Sequence, residues 1–186
     1  VPYFELWNEP DLAPQPGYDV HVPPQHYASM LSNFTATLAR QQPASRVLVG
    51  GLASGDVTYV QRVAAASRSR RIDAHYIGLH PYGQRPTPSW PSDTWGFGVL
   101  PVLVKRYYQA AGLPVFITEI GTNSVAVQGE FPKRAFDSLR DNAGAATCPF
   151  AVWFCWSDAM VPPFGVVDVN GAPKASFHSF VAFTQQ

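Results

Sequence analysis

Charge is scarce in this chain and carries no net sign. In 186 residues, 13 Lys and Arg stand against 13 Asp and Glu (13 − 13 = 0), and only 14% of positions are charged. With no basic run to follow a phosphate backbone or an anionic headgroup layer, neither nucleic acid nor a membrane is expected as a partner. Long apolar runs are missing as well: no stretch approaches the ~20 consecutive apolar residues of a spanning helix. The first residues also lack the basic, apolar and small-residue order of a signal peptide. The sequence opens at Val1, inside a strand-like run, so an upstream segment is expected and the location, secretion included, stays open.

Cysteine is nearly absent. Cys148 and Cys155 lie 155 − 148 = 7 positions apart on one apparent strand. That is roughly 23 Å at ~3.3 Å per residue, whereas a disulfide needs Cα atoms ~4.4–6.8 Å apart. Two buried thiols are expected instead. His21, His26, His75 and His178 form no metal-ligand spacing, and no Cys/His cluster suggests zinc. No metal and no other cofactor is expected. No Gly-x-Gly-x-x-Gly or Walker-type loop follows any strand, which removes the usual nucleotide-binding readings.

What the chain does have is rings and a regular alternation. Trp, Tyr and Phe make up 13% of it, enough for a core or for exposed platforms. Its length fits one domain. Short β-like runs alternate with longer helical ones, the pattern of an α/β fold with parallel strands. Val1–Asn8 reads as a strand, and Pro24–Gln42 as a helix with Tyr27, Leu31, Phe34 and Leu38 on one stripe. Val47–Val49 is a strand ending at Gly50 and Gly51, followed by a helix with Val57, Val60 and Val63 and Asp56 as its N-cap.

A strand near Tyr76–His80 precedes an irregular loop over Pro81–Trp95, in which Trp90 and Trp95 are candidates for an outer subsite. A helix over Phe97–Ala111 stops at Gly112 as its C′ residue, with Pro114 beyond. Val115–Glu119 is a strand, and a helix runs from Pro132 at N1 to Ala146. Phe150–Trp156 is a fifth strand, and a helix over Pro173–Phe183 closes the chain. This order fits either an open doubly wound sheet or a barrel, so the motifs must decide.

Two glutamates end strands: Glu9 in Phe4-Glu5-Leu6-Trp7-Asn8-Glu9-Pro10, and Glu119 in Val115-Phe116-Ile117-Thr118-Glu119. Trp-Asn-Glu-Pro-Asp at 7–11 resembles the strand-four signature of the large clan of glycosidases with (β/α)8 barrels. Phe116-Ile117-Thr118-Glu119-Ile120-Gly121 resembles its strand-seven segment. Between them Val49-Gly50-Gly51-Leu52-Ala53 is similar to the end of strand five, and Gly78-Leu79-His80-Pro81-Tyr82 to the end of strand six. Trp156-Ser157-Asp158 resembles the end of strand eight, and Phe164–Asp168 followed by Pro173-Lys174 the run into the last helix. Within the clan the phrasing is most like family 39, with family 5 close behind.

The resemblance implies a retaining hydrolase of β-linked O-glycosides, with an oligosaccharide, polysaccharide or glycoside as substrate. It assigns Glu9 as the acid/base and Glu119 as the nucleophile. It also assigns Asn8 as a substrate-holding amide, His80 as a bond to a sugar hydroxyl, Tyr82 as the residue that orients Glu119, and Trp156 as a platform for the sugar ring. The match runs the length of this chain but covers only the later part of the barrel. A full barrel needs ~250 residues, or ~31 per βα unit. The expected fold is therefore a truncated (β/α)8 (TIM) barrel, one partial domain over residues 1–186, with about five parallel strands corresponding to strands four to eight. Missing strands one to three would leave two edges unpaired and apolar interior uncovered, which a second copy of the chain could cover. They also motivate an alternative: a weakly active or inactive barrel fragment that binds carbohydrate or a protein partner.

Strand alternation adds three expectations. Glu119 shares a face with Ile117 and Val115. Glu5 shares the face of Glu9, where burial would demand a partner. Trp153 and Trp156 tend to opposite faces, one of them packing under a helix. For catalysis Glu9 must be neutral, and burial against Trp7 or the charge of Glu119 would raise its pKa.

Overall fold

The computed structural model describes residues 2–82, 100–142 and 144–185. Five parallel strands lie in chain order, β1 (Tyr3–Asn8), β2 (Arg46–Leu52), β3 (Tyr76–Leu79), β4 (Val115–Ile120) and β5 (Thr147–Trp153). Helices α1 (Pro24–Gln41), α2 (Thr58–Ala66), α3 (Leu100–Ala111) and α4 (Phe131–Asn142) fall between successive strands, and α5 (Ala175–Thr184) follows the last. A helix between each pair of neighbouring parallel strands is the connectivity of a stretch of (β/α)8 barrel.

The chain divides into two compact units. One comprises residues up to His80 with Val104–Ile117 and Ala145–Cys148; the other comprises the rest. In the first, β2 is buried along almost its whole length, as a parallel strand covered on both faces should be. Val47, Val49 and Leu52, Ile77 and Leu79 of β3, Tyr27 and Leu31 of α1, and Val60 and Val63 of α2 are all at most 1% exposed and belong to the core of this unit. In the second unit, rings close the core. Phe131 of α4 meets Trp153 at 5.7 Å, Trp153 meets Phe180 of α5 at 6.3 Å, and Phe136 meets Phe180 at 5.4 Å.

Several boundaries differ from the sequence reading, for local reasons. The cap position of α2 falls on Val57, not Asp56; the Asp56 carboxylate instead accepts the Thr58 N–H at 2.9 Å and its hydroxyl at 2.6 Å. Pro132 is the second residue of α4, still inside the first turn where its missing N–H costs nothing. That helix ends at Asn142, before a 3₁₀ turn over Gly144–Ala146 that opens on a left-handed glycine, φ 52°. The fifth strand lies three residues earlier than expected, at Thr147–Trp153, because it runs through Pro149, which reads in sequence as a break. Cys155 is consequently beyond the strand, a buried free thiol. The side chain of Cys148, the start of the helix expected from Phe97, and Trp90 and Trp95 lie outside the described residues. Gly112 ends α3 as expected, with φ 69° and its N–H on the Tyr108 carbonyl at 2.8 Å.

Candidate active site

The first strand bends just before its glutamate. Trp7 has φ 72° and Glu9 φ 47°, left-handed values that cost ~1–3 kcal/mol in a residue with a Cβ unless the surroundings impose them. Leu6 is paired with Val49 and Asn8 with Gly51, which leaves Trp7 against Gly50. A Cβ on Gly50 would lie 2.5 Å from the carbonyl oxygens of Leu6 and Trp7, so only glycine admits this approach. Glu9 then returns to the ladder, its N–H on the Gly51 carbonyl at 3.1 Å. The bend interrupts the alternation expected to put Glu5 beside Glu9: Glu9 is buried and Glu5 exposed, so the burial penalty foreseen for Glu5 does not arise. Trp7, expected to bury Glu9, is 51% exposed and donates its indole N–H to the Val20 carbonyl at 2.8 Å.

Both carboxylate oxygens of Glu9 are held. The Tyr18 hydroxyl donates to Oε2 at 2.6 Å and accepts from Asn8 Nδ2 at 3.0 Å, while His80 Nδ1 is 3.0 Å from Oε1. Toward a carboxylate, that ring nitrogen acts as the donor. His80 follows β3, is only 2% exposed, and takes its place because Gly51 has no side chain: a Cβ there would fall 1.9 Å from His80 Nε2. Burial raises the pKa of Glu9, but the hydrogen bonds from His80 and Tyr18 and the His80 charge outweigh it and hold the carboxyl below its ordinary value of 4.5. This is opposite to the upward shift expected from the sequence, because two donors stabilise the anion. Glu9 and His80, both able to ligate a metal, are bonded to each other. Asp11, at the end of the same motif, accepts the N–H groups of Ala53 and Ser54 at 3.0 and 2.9 Å and the Ser54 hydroxyl at 2.5 Å, tying the loop after β1 to the loop after β2.

In the second unit the Tyr82 hydroxyl donates to Glu119 Oε2. Glu119 is half-buried, one residue before the end of β4. The Tyr82 ring stands edge-on to Phe154 at 5.8 Å and to Phe164 at 5.5 Å. The loop that carries these rings is pinned: the Phe154 N–H reaches the Ile120 carbonyl at 2.9 Å, and Lys174 Nζ bonds both Asp158 oxygens at 2.9 Å and the Pro163 carbonyl at 2.8 Å. Trp156 is 63% exposed and 6.3 Å from Phe177 of α5. With Trp153, Cys155, Phe177 and Phe180 it lines an apolar groove of about 240 Å³, smaller than the ~300–1,000 Å³ of ordinary ligand pockets.

Of the residues singled out in the sequence, Asn8, Glu9 and His80 are thus joined by Tyr18 in one cluster, Tyr82 meets Glu119 in another, and Trp156 stands with α5. Sequence reading missed Tyr18 and Phe154. Tyr18 follows Pro16-Gly17, a turn signal, and its backbone pairs with Gln15 across that turn; the turn was legible, its target was not.

Glu9 at the end of β1 and Glu119 near the end of β4 are thus each held by a tyrosine hydroxyl. No family model and no curated protein matches the chain. Solved structures do. A monomeric β-xylosidase from Caulobacter crescentus CB15 is 18% identical over 97% of this chain and 41% of its own, with TM-score 0.67. The GH39 enzyme from Xanthomonas axonopodis pv. citri is 16% identical over 98% of this chain and 40% of its own, with TM-score 0.70. A GH128 subgroup I endo-β-1,3-glucanase variant from Amycolatopsis mediterranei, in complex with laminarihexaose, is 22% identical over 97% of this chain and 72% of its own, with TM-score 0.73. At these identities the likeness shows the fold alone, that of part of a (β/α)8 barrel. The chain spans about two fifths of the length of the family 39 proteins it resembles.

Proposed function

We propose that this chain carries the two catalytic glutamates of a retaining glycoside hydrolase that cleaves a β-linked O-glycosidic bond. The observation that carries the reading is the Glu9 cluster: a carboxyl at a strand end, bonded through a hydroxyl to an adjacent amide, with a buried histidine on its other oxygen. Glu9 protonates the leaving oxygen while Glu119, one oxygen fixed by Tyr82, attacks the anomeric carbon to form a glycosyl ester. Glu9 then takes a proton from the water that cleaves the ester. Asn8 and His80 hold sugar hydroxyls, and the reaction as drawn uses no cofactor. Because hydrogen bonds keep Glu9 ionised at rest, a substrate that displaces the Tyr18 hydroxyl removes part of that stabilisation and moves its pKa upward, the direction an acid requires. Phe154 beside Tyr82 supplies an apolar ring to the sugar face, and Trp156 serves at most the margin.

The neighbours named a β-xylosidase and an endo-β-1,3-glucanase support a β-linked substrate. The test is an aryl β-glycoside panel with wild type, Glu9→Gln and Glu119→Gln, and the anomer of the first product read by NMR. Loss of turnover in both folded variants with a β-anomer first product is expected; hydrolysis retained by Glu119→Gln rejects the assignment. A second reading, a weakly active or inactive fragment that binds carbohydrate or protein, draws on the 41% span of the family 39 chain. A monomer by mass measurement with no turnover on the panel would favour it, whereas activity in a dimer would point to a second copy covering the strand edges.

A further inference from the structure

Tyr27 lies on α1, 0% exposed and outside the carboxylate cluster. Its hydroxyl donates to the Leu6 carbonyl at 2.7 Å and accepts the Gly50 N–H at 2.6 Å. In a regular parallel ladder with Leu6 opposite Val49, that carbonyl would take the Gly50 N–H directly. The phenol is inserted into this rung, and the next residue, Trp7, is where β1 turns left-handed. A strained backbone persists only where its surroundings over-determine it. Here Gly50 admits the close approach, Tyr27 satisfies the two ladder groups the bend separates, and Gly51 recaptures the Glu9 N–H.

We propose that Tyr27 is a positioning residue for Glu9: its hydroxyl is a built-in rung that keeps β1 bent at Trp7 and so aims the Glu9 carboxylate at Tyr18 and His80. Burial raises the pKa of the phenol far above its ordinary value, so the donor is present at every working pH. A phenylalanine leaves the Leu6 carbonyl and the Gly50 N–H to find each other or go unbonded. Either outcome shifts the register of the residues that lead to Glu9. The neighbouring Tyr59, whose ring is 6.0 Å from that of Tyr27, gives its hydroxyl to the Val22 carbonyl at 2.7 Å instead. It supplies a matched control, since it too is a largely buried phenol on a helix of the same unit.

The kinetic part of this inference rests on Glu9 being the acid/base; the structural part does not. Tyr27→Phe and Tyr59→Phe are compared in the full chain. Tyr27→Phe is expected to lower kcat about tenfold or more with KM nearly unchanged and to move the ¹⁵N shifts of the His80 ring, whereas Tyr59→Phe does neither. Unchanged kcat and His80 shifts in Tyr27→Phe, or equal changes in both variants, overturn the proposal. A wild type without turnover would count against the functional reading, and the His80 shifts would still decide this one. Hydrogen exchange in the wild type needs no variant: a protected Gly50 amide with a cross-peak to the Tyr27 hydroxyl proton supports the inserted rung, and an amide that exchanges as fast as an exposed loop refutes it.

Discussion

The Tyr18 hydroxyl donates to Glu9 Oε2 at 2.6 Å and accepts the Asn8 amide at 3.0 Å, so a side chain from the loop after β1 bridges carboxyl and amide. Removing that donor from the anion must raise the Glu9 pKa, since a hydrogen bond to the charged form favours it. In Tyr18→Phe the basic limb of the kcat/KM profile, which reports the protonated acid of the free enzyme, is therefore expected to move to higher pH. A limb that stays in place, or moves down, contradicts the role given to this contact.

Acid stability follows chiefly from two lowered pKa values in the first unit, since the third, that of Asp56, belongs to an exposed carboxylate. His75 is held below its ordinary 6.5 by burial and then by the Arg46 charge, and Glu9 is held below 4.5 by the bonds that outweigh its burial. For both, the folded chain binds protons less readily than the unfolded one. The His75 contribution is thus fully present above 6.5 and declines as pH falls below it; the Glu9 contribution is present above 4.5 and is lost at still lower pH. Urea midpoints measured downward from neutral pH are expected to fall in these two windows. Glu9→Gln should flatten the lower one and leave the upper one unchanged; an unaltered lower window would show that Glu9 is not the group responsible.

How far the site was legible depended on whether its logic was local. Asn8-Glu9-Pro10 ends a strand, and the Gly50-Gly51 pair sits at the end of the next, so both could be placed from neighbours in sequence. The direction of the Glu9 shift could not be, because it depends on Tyr18, from a loop, and on His80, 71 residues away. The face shared by Glu5 and Glu9 was misread because period-two alternation fails where Trp7 turns left-handed, and nothing in a tryptophan announces that conformation. The fifth strand was read three residues too late, since it runs through Pro149 and ends at Trp153, so that Trp156, chosen over Trp153 for its nearness to the strand end, lies beyond the strand.

Gly51 can be separated from glycines that serve only the chain's own turns. In Gly51→Ala the new methyl would fall on a His80 ring that is almost wholly buried. Overpacking there is expected to cost ~1–3 kcal/mol and to abolish most turnover by moving His80 off Glu9. Gly112→Ala meets nothing within 4 Å but keeps a φ of 69°, so it should lose about 1–2 kcal/mol with kcat/KM unchanged. Thermal melts paired with kinetics test the contrast; equal kinetic losses in both would reduce Gly51 to a purely structural residue.

Phe154, rather than Trp156, is the ring expected to meet the substrate. Phe154 stands edge-on to Tyr82, and Tyr82 holds Glu119, so a change at Phe154 is transmitted to the carboxylate through a single packed ring. Trp156 is 63% exposed against Phe177, and truncating an exposed side chain away from a special contact usually stays within about 0.5 kcal/mol. Phe154→Leu keeps apolar volume but removes the flat face and the edge-on contact, so kcat/KM should drop about tenfold, or ~1.4 kcal/mol of transition-state stabilisation. Trp156→Ala should leave kcat/KM within about twofold, well inside the range expected of a surface position. The reverse ranking would return the sugar platform to Trp156 and require the loop after β5 to adopt, with substrate bound, an arrangement other than the one its Lys174–Asp158 clamp now holds.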